Sequence, residues 1–121
     1  MKKNILIVED ERIIGLELKM TLESFGYNVI GHVTSGEDAI EKVNKHKIDL
    51  ILMDIKIDGN IDGIETAAQI QKIFKDMKIV YLTAFADEKT RKRAKKTKPI
   101  AFLSKPSNPE VLQNVINKNL S

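Results

Sequence analysis

The sequence predicts an α/β fold, a doubly wound, five-stranded parallel sheet with five helices. Three observations predict it. Short, solid apolar runs recur along the chain, as expected of strands buried on both faces. Stretches with apolar residues at helical spacing separate them. Strand and helix alternate about five times with no linker, internal repeat or low-complexity stretch. That alternation implies a parallel sheet covered by helices, joined by right-handed crossovers.

Ile5–Val8 is the first apolar run, and Ile14, Leu18, Leu22 and Phe25 then form one helical stripe. Gly26 stops that helix as a residue able to go left-handed. Tyr27–Val33 is a second, weaker strand. Ser35 caps a helix running to about Lys45, with Asp38 at the capping-box position. Ile48–Met53 is the third strand. Asp62 and Glu65 open the next helix, which Ile64, Ala67, Ala68 and Ile70 carry to about Phe74. Lys78–Thr83 is the fourth strand, and Asp87 caps a basic helix ending before Pro99. Ile100–Ser104 is the fifth strand. Ser107, Pro109 and Glu110 open the last helix, with Val111, Leu112, Val115 and Ile116 expected inward.

The chain has 121 residues, enough for one domain with its own core. It has no cysteine, which excludes disulfides, thiolate metal sites and cysteine nucleophiles. Without Trp, and with 2 Tyr and 4 Phe, it lacks a broad platform for stacking nucleic-acid bases. No apolar stretch has membrane-spanning length. The run after Met1-Lys2-Lys3 is cut off by Glu9, Asp10 and Glu11, so it is no signal peptide. A soluble, cytoplasmic protein is expected. The net charge of +3 divides unevenly, with −3 over residues 1–60 and +6 over residues 61–121. Seven of the ten residues 89–98 are Lys or Arg.

In a doubly wound sheet, sites form at the carboxyl ends of the strands. Those ends carry Glu9-Asp10-Glu11, Asp54, Thr83 and Lys105-Pro106. Taken singly, each has an ordinary structural role, such as a helix cap, a strand end or an exposed lysine. Together at one end of one sheet, they form a cleft of carboxylates with a hydroxyl and an ammonium. Close carboxylates repel unless a cation intervenes. Mg²⁺ (or Mn²⁺) suits them, being a hard ion that takes a few carboxylate oxygens and keeps waters. Beside a fixed ammonium, such a site accepts a phosphoryl group, and an Asp there can act as nucleophile to form an acyl phosphate. No Ser-His or Cys-His pairing competes with this chemistry.

The segments ILIVEDE (5–11), LILMDI (50–55), VYLTAFAD (80–87) and FLSKP (102–106) carry a resemblance to a known family. In that order they make the chain similar to the receiver domain of two-component response regulators, over essentially all of residues 1–121. The resemblance implies the flavodoxin-like, CheY-like strand order 2-1-3-4-5. It implies that Asp54 is the phosphoacceptor, and that Glu9, Asp10, Asp54 and the backbone carbonyl of Lys56 hold the metal. It further implies that Thr83 bonds a phosphoryl oxygen and that Lys105 pairs with the phosphoryl group or with Asp54. Phe102 stands at the family's aromatic switch, and the Lys105–Pro106 bond is cis in the family. Two departures stand out. The loop DIKIDGNIDG (54–63) lacks the usual proline and carries one extra residue, with a turn expected at Gly59-Asn60. Glu9 replaces the more usual Asp at the first acidic position.

Ile13, Leu16 and Met20 form a second apolar strip on the first helix. Scattered surface apolar residues are normal. The resemblance favours a docking patch for the phosphodonor, a sensor histidine kinase or a phosphotransfer protein. The helix within residues 87–98 offers only Ala94 to the core and should be weakly anchored. Its charge fits a solvated face or an acidic partner. Nucleic acid is disfavoured, since no recognition helix is appended. The last helix offers only Glu110 to such a basic helix, which speaks against a dimer through it. His32 and His46 lie outside the acidic motifs. Two competing functions are a pseudo-receiver that never takes phosphate and an aspartate-based phosphatase. The intact Asp10, Asp54, Thr83 and Lys105 oppose the first, and the missing second Asp after Asp54-Ile-Lys opposes the second.

Overall fold

The computed structural model describes residues 2–84 and 86–120. The elements alternate as β1 (Asn4–Val8), α1 (Arg12–Ser24), β2 (Asn28–Val33), α2 (Gly36–Lys45), β3 (Leu50–Met53), α3 (Gly63–Ile73), β4 (Lys78–Thr83), α4 (Glu88–Lys95), β5 (Ala101–Ser104) and α5 (Pro109–Leu120). All strand pairs are parallel and the sheet order is β2-β1-β3-β4-β5. No helix among the described residues is long and apolar enough to cross a membrane.

Successive strand residues face opposite sides of a sheet, so each solid apolar strand feeds two cores. Ile5, Ile7, Leu50, Leu52, Val80 and Leu82 pack with Leu18 and Leu22 of α1 and with Leu112 and Ile116 of α5. Leu6, Val8, Ile51, Met53, Ile79 and Tyr81 pack on the other face. Their partners are Ala39 and Val43 of α2, Ile64, Ala67 and Ile70 of α3, and Ala94 of α4. The chain leaves β1 for one neighbour, β2, and later returns to its other neighbour, β3. That reversal opens a crevice beyond the carboxyl ends of β1 and β3.

The helix starts follow their caps. Ser35 accepts from the Asp38 amide at 3.2 Å, Asp62 and Glu65 form a full capping box, and Asp87 accepts from the Thr90 amide at 2.7 Å. Gly26 takes φ +94° directly after α1. Some boundaries differ from expectation, since β2 begins at Asn28, β3 at Leu50 and β5 at Ala101. Val111, expected inward, is 46% exposed. The buried line of α5 is Leu112, Ile116 and Leu120, spaced by four, and Val111 lies about 100° off it.

Candidate functional site

The register of the sheet builds the site. Val8 lies opposite Met53 in the β1–β3 ladder, so Glu9 and Asp54 emerge side by side. The Asp54 amide donates to the Val8 carbonyl at 2.9 Å, which extends the ladder one step past β3. Thr83 pairs with Ser104 at the far end of β4 and β5, and the Lys105 amide donates to the Thr83 carbonyl at 2.9 Å. Lys105 is followed by a cis bond to Pro106. Its side chain turns back over the crevice toward β1 and β3.

There it meets both carboxylates. Lys105 Nζ donates to Asp54 Oδ2 at 2.7 Å and forms an ion pair with Glu9 Oε1. Asp54 Oδ1 accepts from the Ile55 amide at 2.8 Å, and Glu9 Oε2 accepts from the Glu11 amide at 3.1 Å. Glu9 is 1% and Asp54 6% exposed, while Asp10 is half-buried. Burial pushes the Glu9 carboxyl up to about 7, against the opposing pull of Lys105. Burial pulls the Lys105 ammonium down, but its bonds to Asp54 and Glu9 outweigh this and leave it above its ordinary value.

One carboxylate oxygen from each of Glu9, Asp10 and Asp54 lies within 4.8 Å of the others. Glu9 Oε1 is buried and has no well-formed hydrogen bond beyond its ion pair with Lys105. Three hard oxygen donors with a spare buried acceptor fit a divalent metal ion. Thr83 is buried at the end of β4. Lys56 lies in an exposed stretch two residues beyond Asp54.

The loop after Asp54 is strapped to the β2–α2 connection and to the first turn of α2. The Asp58 amide donates to the Thr34 carbonyl at 3.0 Å, and the Asn60 amide donates to Glu37 Oε2 at 3.0 Å. Gly59 turns the chain at φ +93°. The Gly63 amide closes the loop onto the Ile55 carbonyl at 2.7 Å.

Phe102 is half-buried between two other side chains. Its ring lies 5.8 Å from that of Tyr81, and the Arg91 guanidinium sits 4.7 Å from its centroid. Ile13, Leu16 and Met20 stand in solvent on α1, at 75%, 55% and 64% exposure. A separate cleft runs from Ile14 and Leu18 on another line of α1 across to Lys105 and Pro106. The basic helix α4 is fastened by Arg93, which donates to Asp62 Oδ2 at 3.0 Å, as well as by buried Ala94.

Sequence reasoning passed over two residues that brace the site. His32 Nε2 lies 2.8 Å from the Glu9 carbonyl oxygen. Its ring occupies the notch left by Gly15 on α1, where a Cβ would come within 2.0 Å of it. Glu37 holds the Asp54 loop from the first turn of α2. A glycine in mid-helix opposite a strand histidine was the only signal of the first, and nothing local marked the second.

Comparison with known proteins agrees with this fold. The chain is 36% identical over 104 residues to the transcriptional regulatory protein PdtaR of Mycobacterium tuberculosis, covering 86% of this chain and 50% of PdtaR. This chain therefore spans about half the length of that relative. It is 32% identical over 118 residues to the chemotaxis protein CheY of Thermotoga maritima, covering 98% of each. The signal receiver domain of a modulated diguanylate cyclase from Desulfovibrio desulfuricans superposes with a TM-score of 0.91 at 34% identity. That match covers 99% of this chain and 94% of the other. Residues 5–117 match the response regulator receiver domain model, and on the strength of that match and of its fold the chain belongs to the receiver domain family.

Proposed function

We propose that residues 1–121 act as a receiver that takes a phosphoryl group onto Asp54 from the phosphohistidine of a histidine kinase or phosphotransfer protein. The observation that carries this is the single ammonium of Lys105 bonded to Asp54 and paired with Glu9, with Asp10 alongside.

An Asp54 oxygen attacks phosphorus as the P–N bond of the donor breaks. The electron pair of that bond stays on the imidazole nitrogen, and Asp54 ends as an acyl phosphate. Water later attacks the same phosphorus, releasing inorganic phosphate and restoring the carboxylate. Positioning and charge neutralisation are the main catalytic needs of such a transfer. The Ile55 amide fixes one Asp54 oxygen and Lys105 the other. Lys105, already aimed at that carboxylate, neutralises the incoming phosphoryl oxygens. Mg²⁺ (or Mn²⁺), held by Glu9, Asp10, Asp54 and the Lys56 carbonyl, would supply further neutralisation of those oxygens. The Thr83 hydroxyl bonds a phosphoryl oxygen and Phe102 follows it, altering the surface around α4 and β5. Residues 87–98 lie in that surface.

The test is intact mass after incubation with acetyl phosphate. The wild type should gain one phosphoryl group with Mg²⁺ and none with EDTA, and Asp54→Asn should gain none. A wild type that binds Mg²⁺ yet gains no mass would make this a pseudo-receiver.

The exposed strip Ile13, Leu16 and Met20 is the proposed docking patch for the donor protein, because it is an apolar strip left in solvent on the helix that follows Glu9-Asp10-Glu11. Leu16→Glu should slow phosphotransfer from the cognate kinase roughly tenfold or more, the loss of a central apolar anchor. It should leave the acetyl phosphate reaction unchanged. Equal slowing of both reactions would remove the patch from consideration.

A further inference from the structure

The α3–α4 seam is a groove with a small apolar floor and basic rims. One cleft of about 440 Å³ runs over Ile64 and Ala68 between Lys72 on α3 and, on the other side, Arg93 of α4 and Lys96 just after it. A second, of about 410 Å³, shares Gln71, Lys96 and Thr97 with the first and continues past Lys75 and Lys98 to Ile100. Lys72, Lys75, Lys96 and Lys98 are exposed and make no ion pair among the described residues. Two acids line the groove against these cations, Glu65, held in the capping box, and Asp76.

The floor is fixed before anything binds. Gln71 Nε2 donates to the Thr97 carbonyl at 2.7 Å, and the Thr97 hydroxyl lies 2.7 Å from the Tyr81 hydroxyl. Arg93 is held at one rim by Asp62. Preformed walls lower the ordering cost of binding. Lys98 has φ 51°, a left-handed backbone usually left to Gly or Asn. A lysine there places a cation on the rim at some conformational cost.

We infer that this groove binds an acidic, amphipathic segment of a partner protein, its apolar side chains on Ile64 and Ala68 and its carboxylates against the lysine rims. Charge complementarity selects the sign of the partner. The apolar floor selects a peptide over a nucleic acid, because the groove has no aromatic ring on which a base could stack. Unlike the phosphoryl-transfer proposal, this one needs no modification of Asp54.

The test uses the full, unmodified chain and fluorescence anisotropy with a labelled synthetic peptide of Glu and Asp carrying Leu at helical i, i+4 spacing. A second peptide replaces each Leu with Ala, and a single-stranded RNA matches the charge. The Leu peptide should bind, and the Ala peptide and the RNA should bind roughly tenfold more weakly or worse, a difference of about 1.4 kcal/mol. Lys72→Glu combined with Lys96→Glu should weaken the Leu peptide by a similar factor. Ala68→Trp, which fills the floor without changing charge, should do the same, whereas Lys118→Glu on α5 should change little. Absence of binding, equal binding of the Ala peptide, tighter binding of the RNA or indifference to Ala68→Trp would each overturn the inference.

Discussion

Lys105→Met should slow phosphoryl acceptance from acetyl phosphate roughly 10²–10³-fold, the usual effect of deleting one preorganised charge-stabilising donor. Methionine keeps the length of the stem and removes the ammonium that bonds Asp54 and pairs with Glu9. The same change leaves two carboxylates buried without their cation. Breaking a buried pair by deleting one partner is strongly destabilising, by about 3–5 kcal/mol. The loss should depend on pH. Burial already holds the Glu9 carboxyl at about 7 against an ordinary 4.5, so folded Glu9 binds more protons than unfolded Glu9 between those values. Its contribution to stability is complete below 4.5 and is lost as the pH rises through about 7. Without the ammonium that pulls it down, the Glu9 carboxyl rises further and the loss extends to higher pH. Urea unfolding in EDTA should show the variant below wild type at both pH 5 and pH 8, because Asp54 loses its partner at either, and by more at pH 8, where Glu9 is ionised as well. Adding Mg²⁺ at pH 8 should recover part of the difference by binding only the folded state. A variant as stable as wild type at pH 8, or as fast with acetyl phosphate, would remove the central role given to Lys105.

Gly63→Ala should destabilise the fold by about 2–3 kcal/mol, the cost of forcing atoms into a packed site, and should also impair phosphorylation. A Cβ at Gly63 would fall 2.0 Å from the Asp54 carbonyl oxygen and 2.9 Å from the Ile55 Cα. These are backbone atoms and cannot swing aside as a flexible side chain would. The first turn of α3 would have to lift from the Asp54 loop, breaking the 2.7 Å bond from the Gly63 amide to the Ile55 carbonyl. Gly26→Ala is the control. Its φ of +94° carries strain, but nothing lies within 4 Å of the added atom, so it should cost only about 1–2 kcal/mol. Urea midpoints and the acetyl phosphate rate measure both variants. Gly63 is not among the positive-φ glycines, so a loss there no larger than that of Gly26→Ala would mean that α3 shifts off the Asp54 carbonyl at little cost, and the close approach would lose its role.

The elements and their order were legible in the sequence because the signals are local. Continuous apolar runs declare strands covered on both faces, and Ser35, Asp62, Asp87 and Gly26 mark where helices begin or end. From that alternation it followed that Glu9, Asp10, Asp54, Thr83 and Lys105 lie at one edge of the sheet, since parallel strands present their carboxyl ends together. What local patterns cannot carry is which side chain reaches which. Lys105 joins Asp54 from 51 residues away, and Arg93 joins Asp62 from 31. Those partners are set by strand register and by the direction each side chain takes out of the sheet. Gly63 and Gly15 are required only because another element passes within a Cβ's reach, a property of packing that no periodicity records. Val111 shows the same limit, because an apolar side chain one position off the buried line of α5 faces water. Composition and period determined the sheet and the edge where the chemistry gathers. Tertiary structure alone decided the pairings that hold Asp54 in place, because contacts between distant segments depend on register and close packing rather than on neighbours in the chain.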